Sequence, residues 1–277
     1  MGLSQPFRCK TPSRHRPRKA GDPVFQSICD RIETLRRTGY SAFAEYDSYN
    51  DGTKCSFQLR PLKIANPMIL IGQYDSPFVR RVAIALRLYG LPFEHMPWST
   101  FGDADKIAPY NPLRRVPTLV LGSGEALIES TAILDYLDDL VGPEDAMIAA
   151  HGPGRYRGLK ICALATGLAD KGVSLLYERV LRKDASKIWV ERCHAQIGGV
   201  LDVLEKERAA VATPFWFGER IGHADIAVAC VLRFTTEAHP QLFDAACHPT
   251  LAAHAARCEV LPPFREIVQP LSPPSGD

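Results

Sequence analysis

Apolar positions along the chain change their spacing twice, and each change marks a boundary. MILIGQ, from Met68, is a continuous apolar run and predicts a buried strand. PFVRRVAIALRLYG has apolar residues at helical spacing, with Pro77 at its first position and Gly90 beyond its end, and predicts a helix. PFEHMPW predicts a second strand. Strand, helix, strand at this spacing is a βαβ unit, so the two strands are parallel and the crossover is right-handed. A turn-rich stretch follows, with a short helix near 103–108. PTLVLGSGEALIES predicts two short strands around a Gly-Ser-Gly turn, and STAILDYLDDLVG a helix that starts at a serine and stops at Gly142. Strand signals end there. Helical periods then run from Pro153 to about Arg182, over about 185–211, and onward from Gly222. The pattern predicts an α/β domain of order βαβαββα over 68–145, an all-helical domain over 150–268 and a tail over 269–277.

Upstream of Met68 the pattern is weaker. Val24, Ile28, Ile32 and Leu35 fall at helical spacing within 24–39, while 40–60 has no clear period. Charge separates this segment from the rest. The first 67 residues carry 12 Lys/Arg against 6 Asp/Glu, and the remainder 21 against 25. Residues 1–67 therefore read as a basic, poorly ordered extension. They have the charge of a mitochondrial leader, but Pro6, Pro12 and Pro17 interrupt the amphipathic helix such a leader needs. The mildly acidic body argues against a nucleic-acid groove.

With 277 residues, 46% hydrophobic and 23% charged, the chain is long enough for two ordinary domains. Its eight cysteines form no CxxC pair and read as reduced thiols of a cytosolic protein. No apolar run approaches the roughly 20 residues a spanning helix needs. Cys247, His248, His254 and Cys258 cluster in sequence, but the adjacent Cys247-His248 pair suits tetrahedral chelation poorly, so no metal is expected.

Three local features should converge on one edge of the sheet: Ser76-Pro77, Val116-Pro117 and Glu129-Ser130. Each has a plain structural reading as a helix cap, a strand start and a helix start. Together with their surroundings they resemble the glutathione S-transferase family. The resemblance rests on SPFVRRV, NPLRRVPTLV, LIESTAILDYLDD and FGERIGHADIAVA, and spans roughly 68–268. SPF and GLADKGVSLLYER look most like a bacterial subgroup related to the serine-type enzymes.

The resemblance implies a thioredoxin-like first domain with Val116-Pro117 in the cis form, leaving the Val116 backbone to pair with glutathione like a strand. Ser130, at a helix N-terminus, would receive the γ-glutamyl carboxylate, and Glu129 the ammonium. Arg114 or Arg115 would meet the glycine carboxylate, and Phe78 of the SPF motif would join the glutathione contacts. The Ser76 hydroxyl would hydrogen-bond the glutathione sulfur and favour its thiolate; no His/Asp partner pattern marks Ser76 as a nucleophile. Tyr74 is the alternative donor. Position 76 is not cysteine, which weakens a disulfide-exchange reading.

Leu168, Lys171, Gly172 and Leu175 share a helix face and would line an electrophile pocket between the domains, with domain packing as the alternative. In the family a Ser or Thr stands where Gly222 precedes Asp225, so glycine here loses one half of a capping box at a modest stability cost.

The expected activity is thiolate attack on a small, apolar electrophile, by conjugation or glutathione-dependent reduction. Glutathione-dependent isomerisation, dehalogenation or ether cleavage stay open, as does a non-catalytic protein-interaction module. The resemblance also implies a homodimer, and a detoxifying role without membrane or nucleic-acid partners.

Overall fold

Residues 67–274 are described by a computed structural model. The basic extension, the helix expected within 24–39 and the aperiodic 40–60 stretch lie outside the described residues. Strands β1 (Met68–Ile71), β2 (Phe93–Met96), β3 (Thr118–Val120) and β4 (Ala126–Ile128) form one sheet in the order β2-β1-β3-β4. β1 and β2 pair in parallel, Met68 opposite Phe93, because helix α1 (Pro77–Leu88) carries the crossover between them. β3 runs antiparallel to both β1 and β4. Every residue of β1 is buried, which is why its sequence reads as an unbroken apolar run.

α2 (Ala104–Ile107) and α3 (Ser130–Val141) complete the first domain. The helical domain holds α4 (Gly152–Leu181), α5 (Lys187–Ala209), α6 (His223–Ala238), a 3₁₀ turn at Pro240–Leu242, α7 (Pro249–Glu259) and α8 (Pro262–Glu266). The described residues thus have the expected thioredoxin-like domain followed by an all-helical one.

α6 ties the two together. Its Ile226 and Cys230 pack with Val82, Leu86, Ile133 and Leu137 of the first domain, while its Val228 packs with Leu168, Leu175, Ile197 and Leu201 of the second. Burying this helix removes it from water on nearly all sides, which explains its almost wholly apolar middle, IAVACVL. A polar knot reinforces the junction. Asp138 accepts hydrogen bonds from the Tyr89 hydroxyl and from Met147 N at 3.3 Å, and is 2.8 Å from His223 Nε2.

The start of α6 modifies the expected capping box. Asp225 is 1% exposed and accepts from Gly222 N at 2.8 Å with one oxygen and from Trp216 N at 2.8 Å with the other. Glycine returns no side-chain bond, but a Cβ at Gly222 would stand 2.8 Å from the Met147 carbonyl oxygen. That carbonyl accepts from His223 N at 3.1 Å. The close approach of the two chains is what glycine permits. Gly222→Ser, which restores the family's cap residue, is therefore expected to destabilise the protein by about 1–3 kcal/mol through overpacking. Chemical denaturation checks this; a gain in stability would show that the missing cap bond outweighs the contact.

Candidate active site

The loops at one end of the sheet face the helical domain across a cleft. Gly72 ends β1 at φ +129°, and a Cβ there would lie 2.6 Å from Val79 Cγ2 and 2.7 Å from Val116 Cβ. Glycine lets the start of α1 and the 116–117 loop meet at the strand end. The Val116–Pro117 bond is cis. The cleft encloses a cavity of about 450 Å³, within the ordinary range for small-molecule sites. Ser76, Phe78, Arg114, Arg115 and Val116 line it on the first domain. Pro117 is buried behind Val116 and does not line it. Among the described residues, neither the N–H nor the C=O of Val116 enters a backbone hydrogen bond outside the strands.

Ser76 is the N-cap of α1, its Oγ accepting from Val79 N at 3.4 Å. Capping and sulfur activation do not compete. The cap uses an oxygen lone pair; activation would use the hydroxyl hydrogen. Tyr74, the alternative donor, is turned elsewhere. Its ring stacks on His95 at 3.8 Å, it does not line the cavity, and burial pushes its hydroxyl pKa up to about 12.

Glu129 and Ser130 open α3. Glu129 holds φ +68°, a conformation that costs a non-glycine residue about 1–3 kcal/mol and is concentrated at functional sites. Its Oε1 lies 3.8 Å from Arg115 Nη1, which links this corner to the cavity rim. Arg114 instead turns toward Asp105 at 3.3 Å. Ser130 is 2% exposed and accepts from Arg81 Nη1 at 3.3 Å.

Arg81 was not singled out from the sequence. It is 3% exposed, its Nε has no partner, and no carboxylate pairs with it among the described residues. Burial pushes its pKa down from the ordinary value. The neighbouring Arg80 is equally buried but fully engaged, with Glu259 at 2.7 and 2.8 Å and with the carbonyls of Ile267 and Phe264. A signal was present: the helical neighbours of Arg81 at i±3 and i±4 are Phe78, Ile84, Pro77 and Ala85, all apolar, so its own face offers no polar company.

None of the four residues predicted for the electrophile face lines this cavity. Leu168 and Leu175 are 0% exposed and belong to the helical core. Gly172 lies under Phe234, whose ring would be 3.0 Å from an added Cβ, and its carbonyl is 2.8 Å from His239 Nε2. Lys171 pairs with Asp170 and lies over the Trp189 ring. The cavity side of α4 is the adjacent stripe: Asp170, Val173, Ser174 and Tyr177. Both stripes follow the same i, i+3, i+4, i+7 spacing, and the more apolar one is taken by the core. Trp98 and Phe101, from the loop after β2, add aromatic surface, and Phe101 meets Tyr177 edge-to-face at 5.1 Å. Residues 271–274 line the cavity as well.

The Cys247–Cys258 segment does not converge. Cys247 is exposed and bonds Asp244, whereas His254 and Cys258 are buried against each other. Among the described residues no helix is long and apolar enough to cross a membrane.

The sequence signature of the glutathione S-transferase N-terminal domain matches residues 70–145, and that of the C-terminal domain matches 187–257. The chain is 32% identical over 168 residues to the uncharacterized GST-like protein YibF of Escherichia coli, covering 60% of this chain and 81% of that one. Among solved structures, a glutathione S-transferase of Methylobacterium radiotolerans, in complex with glutathione sulfonate, superposes with a TM-score of 0.69 at 29% identity. The match covers 74% of this chain and 96% of that one. A glutathione transferase family member of Pseudomonas fluorescens with bound glutathione superposes at 0.65 with 31% identity, covering 74% and 100%.

Proposed function

Because this chain belongs to the glutathione S-transferase family, we propose that its cleft binds glutathione and activates the thiol for attack on a small electrophile with an apolar, aromatic-compatible body. The observation that carries the proposal is the shared edge. Ser76 and Val116 line one cavity, while Glu129 and Ser130 stand beside it without lining it, Glu129 lying 3.8 Å from the lining Arg115.

Each group has a chemical task on this reading. The free Val116 backbone pairs with the peptide-like ligand as an added strand. Free N–H groups at the start of α3 receive the γ-glutamyl carboxylate, and Glu129 receives its ammonium. Arg81, a buried cation behind Ser130, favours an anion in front of it. Arg115 is the candidate for the glycine carboxylate, since its pairing with Glu129 at 3.8 Å is looser than that of Arg114 with Asp105 at 3.3 Å. Ser76 donates its hydroxyl hydrogen to the sulfur. A hydrogen bond to a charged group contributes about 1.5–3 kcal/mol and a helix N-terminus about 0.3–1. At 1.36 kcal/mol per pKa unit, the two together bring a thiol from about 8.5 to near 7. The thiolate is the nucleophile, and its electrophile sits against Val173, Tyr177, Trp98 and Phe101. The homodimer, the cytoplasmic location and a detoxifying role belong to the same proposal.

Calorimetric titration of glutathione into the wild type and Glu129→Gly tests the binding step. Saturable binding by the wild type is expected, weakened about tenfold in the variant, as loss of one charged contact implies. The variant should be no less stable, since glycine tolerates φ +68°. No binding by the wild type at millimolar glutathione would overturn the reading in favour of an interaction module.

A further inference from the structure

Residues 271–274 line the cavity, and both of their backbone N–H groups are bonded. Residues 271–274 are Leu-Ser-Pro-Pro, so Leu271 and Ser272 supply the only backbone N–H groups between the flanking prolines. Both are taken by carboxylates, and the carboxylates belong to different domains. Leu271 N donates to Glu237 Oε2 of α6 at 3.1 Å, and Ser272 N donates to Asp75 Oδ2 at 3.0 Å. Asp75 directly precedes Ser76. One step upstream, Gln269 Oε1 accepts from Tyr74 N at 3.1 Å. Ile267 is 1% exposed, and its carbonyl is held by Arg80 at 2.9 Å. Arg233 joins Glu237 at 2.9 Å and reaches Glu259 at 3.7 Å, the residue that also holds Arg80.

Three physical features make this a fixed wall. Proline at 270, 273 and 274 restricts the backbone, so little conformational entropy is lost on docking. Bonds from N–H groups to carboxylates are the stronger kind. The two anchoring N–H groups are adjacent, so the segment is fixed at one point on the cavity edge, by one carboxylate from each domain. Leu271, Ser272, Pro273 and Pro274 all line the cavity that also holds Ser76 and Tyr177.

We propose that residues 269–274 form a specificity wall that limits the size of the group attached to the glutathione sulfur, and that Asp75 and Glu237 are the positioning residues that hold it. The inference rests on the reading of the cleft as a glutathione site. Asp75 itself lines the cavity, and its part in the proposal is the bond it accepts from Ser272 N.

The test is binding, so it does not depend on finding the natural electrophile. Affinities for glutathione, S-methylglutathione and S-(naphthylmethyl)glutathione are measured by calorimetry on the full chain, on a chain ending at Pro270, on Asp75→Ala and on Asp75→Asn. Each conjugate's affinity is divided by that for glutathione in the same protein, which removes any general loss. The naphthylmethyl-to-methyl ratio is expected to rise about tenfold in the truncated chain and in Asp75→Ala, the scale on which pocket contacts discriminate. Asp75→Asn, whose amide oxygen still accepts from Ser272 N, should keep the wild-type ratio. An unchanged ratio in the truncated chain overturns the wall. A raised ratio there with an unchanged one in Asp75→Ala overturns the role of Asp75. Failure of the wild type to bind glutathione overturns the underlying reading and the wall with it.

Discussion

Ser76→Ala is expected to move the thiol pKa of bound glutathione from near 7 to about 8 while leaving the fold in place, because the helix N-terminus keeps its share. At pH 7 a thiol of pKa 7 is half ionised; one of pKa about 8 is ionised to roughly a tenth. Turnover at neutral pH should fall about fivefold if attack follows the thiolate fraction. The pH–rate profiles should separate in a particular way. Wild-type activity rises through about pH 7, variant activity rises through about pH 8, and the two approach each other above both. Losing the cap to Val79 N should cost only about 1 kcal/mol of stability, because a 3.4 Å acceptor contact at a solvent-facing helix start is a weak one. Thiolate absorbance of the complexes, recorded against pH alongside the rates, checks both statements. Superimposable profiles would return Ser76 to a helix cap and nothing more. Tyr74 offers no rescue, since its ring is stacked on His95 outside the cavity.

Asp225→Ala should produce the largest loss of stability, about 3–5 kcal/mol. The substitution leaves two backbone donors, Trp216 N and Gly222 N, without their acceptor, and a buried orphan costs about 1–3 kcal/mol. It also removes the carboxylate that lies 3.6 Å from His254 Nε2. α6 contributes to the cores of both domains, so its first turn supports the packing behind α1 and therefore Ser76. Activity should be lost with the cooperative unfolding transition and not before it. Asp225→Asn keeps one acceptor and should cost less. The pH dependence has a definite sign. Burial pushes the Asp225 pKa up to about 6, above its value in an unfolded chain. Its contribution is then fully present below the unfolded value and is lost as pH rises through about 6. The stability gap between wild type and Asp225→Asn should therefore narrow from pH 4 to pH 8. Urea denaturation across that range measures it, and a gap that widened would show that the paired charge outweighs its desolvation.

The elements of the fold were legible because they follow from local chemistry. β1 is an unbroken apolar run because both its faces are covered. α1 begins at Ser-Pro and α3 stops at Gly142 because those residue types suit those backbone positions. The candidate site was legible in part for the same reason. Ser76, Val116 and Glu129 each lie at a start or end of an element, and a sheet brings the ends of its strands together.

What the sequence by itself determined, then, is the order of the elements, the succession of a thioredoxin-like part and an all-helical part, and the local caps and turns that carry Ser76, Val116 and Glu129. These are set by residues a few positions apart. Tertiary structure decided the rest: which of two equally spaced stripes of α4 faces the cleft, that Arg81 is buried behind Ser130, that Gly222 makes room for the Met147 carbonyl, and that a proline-rich segment lines the cavity. Each depends on partners far along the chain. Asp75 and Ser272 are 197 residues apart, and no local periodicity reports a bond between them. Helical spacing says which residues share a face, but only the competition among all the surfaces to be buried says which face is buried.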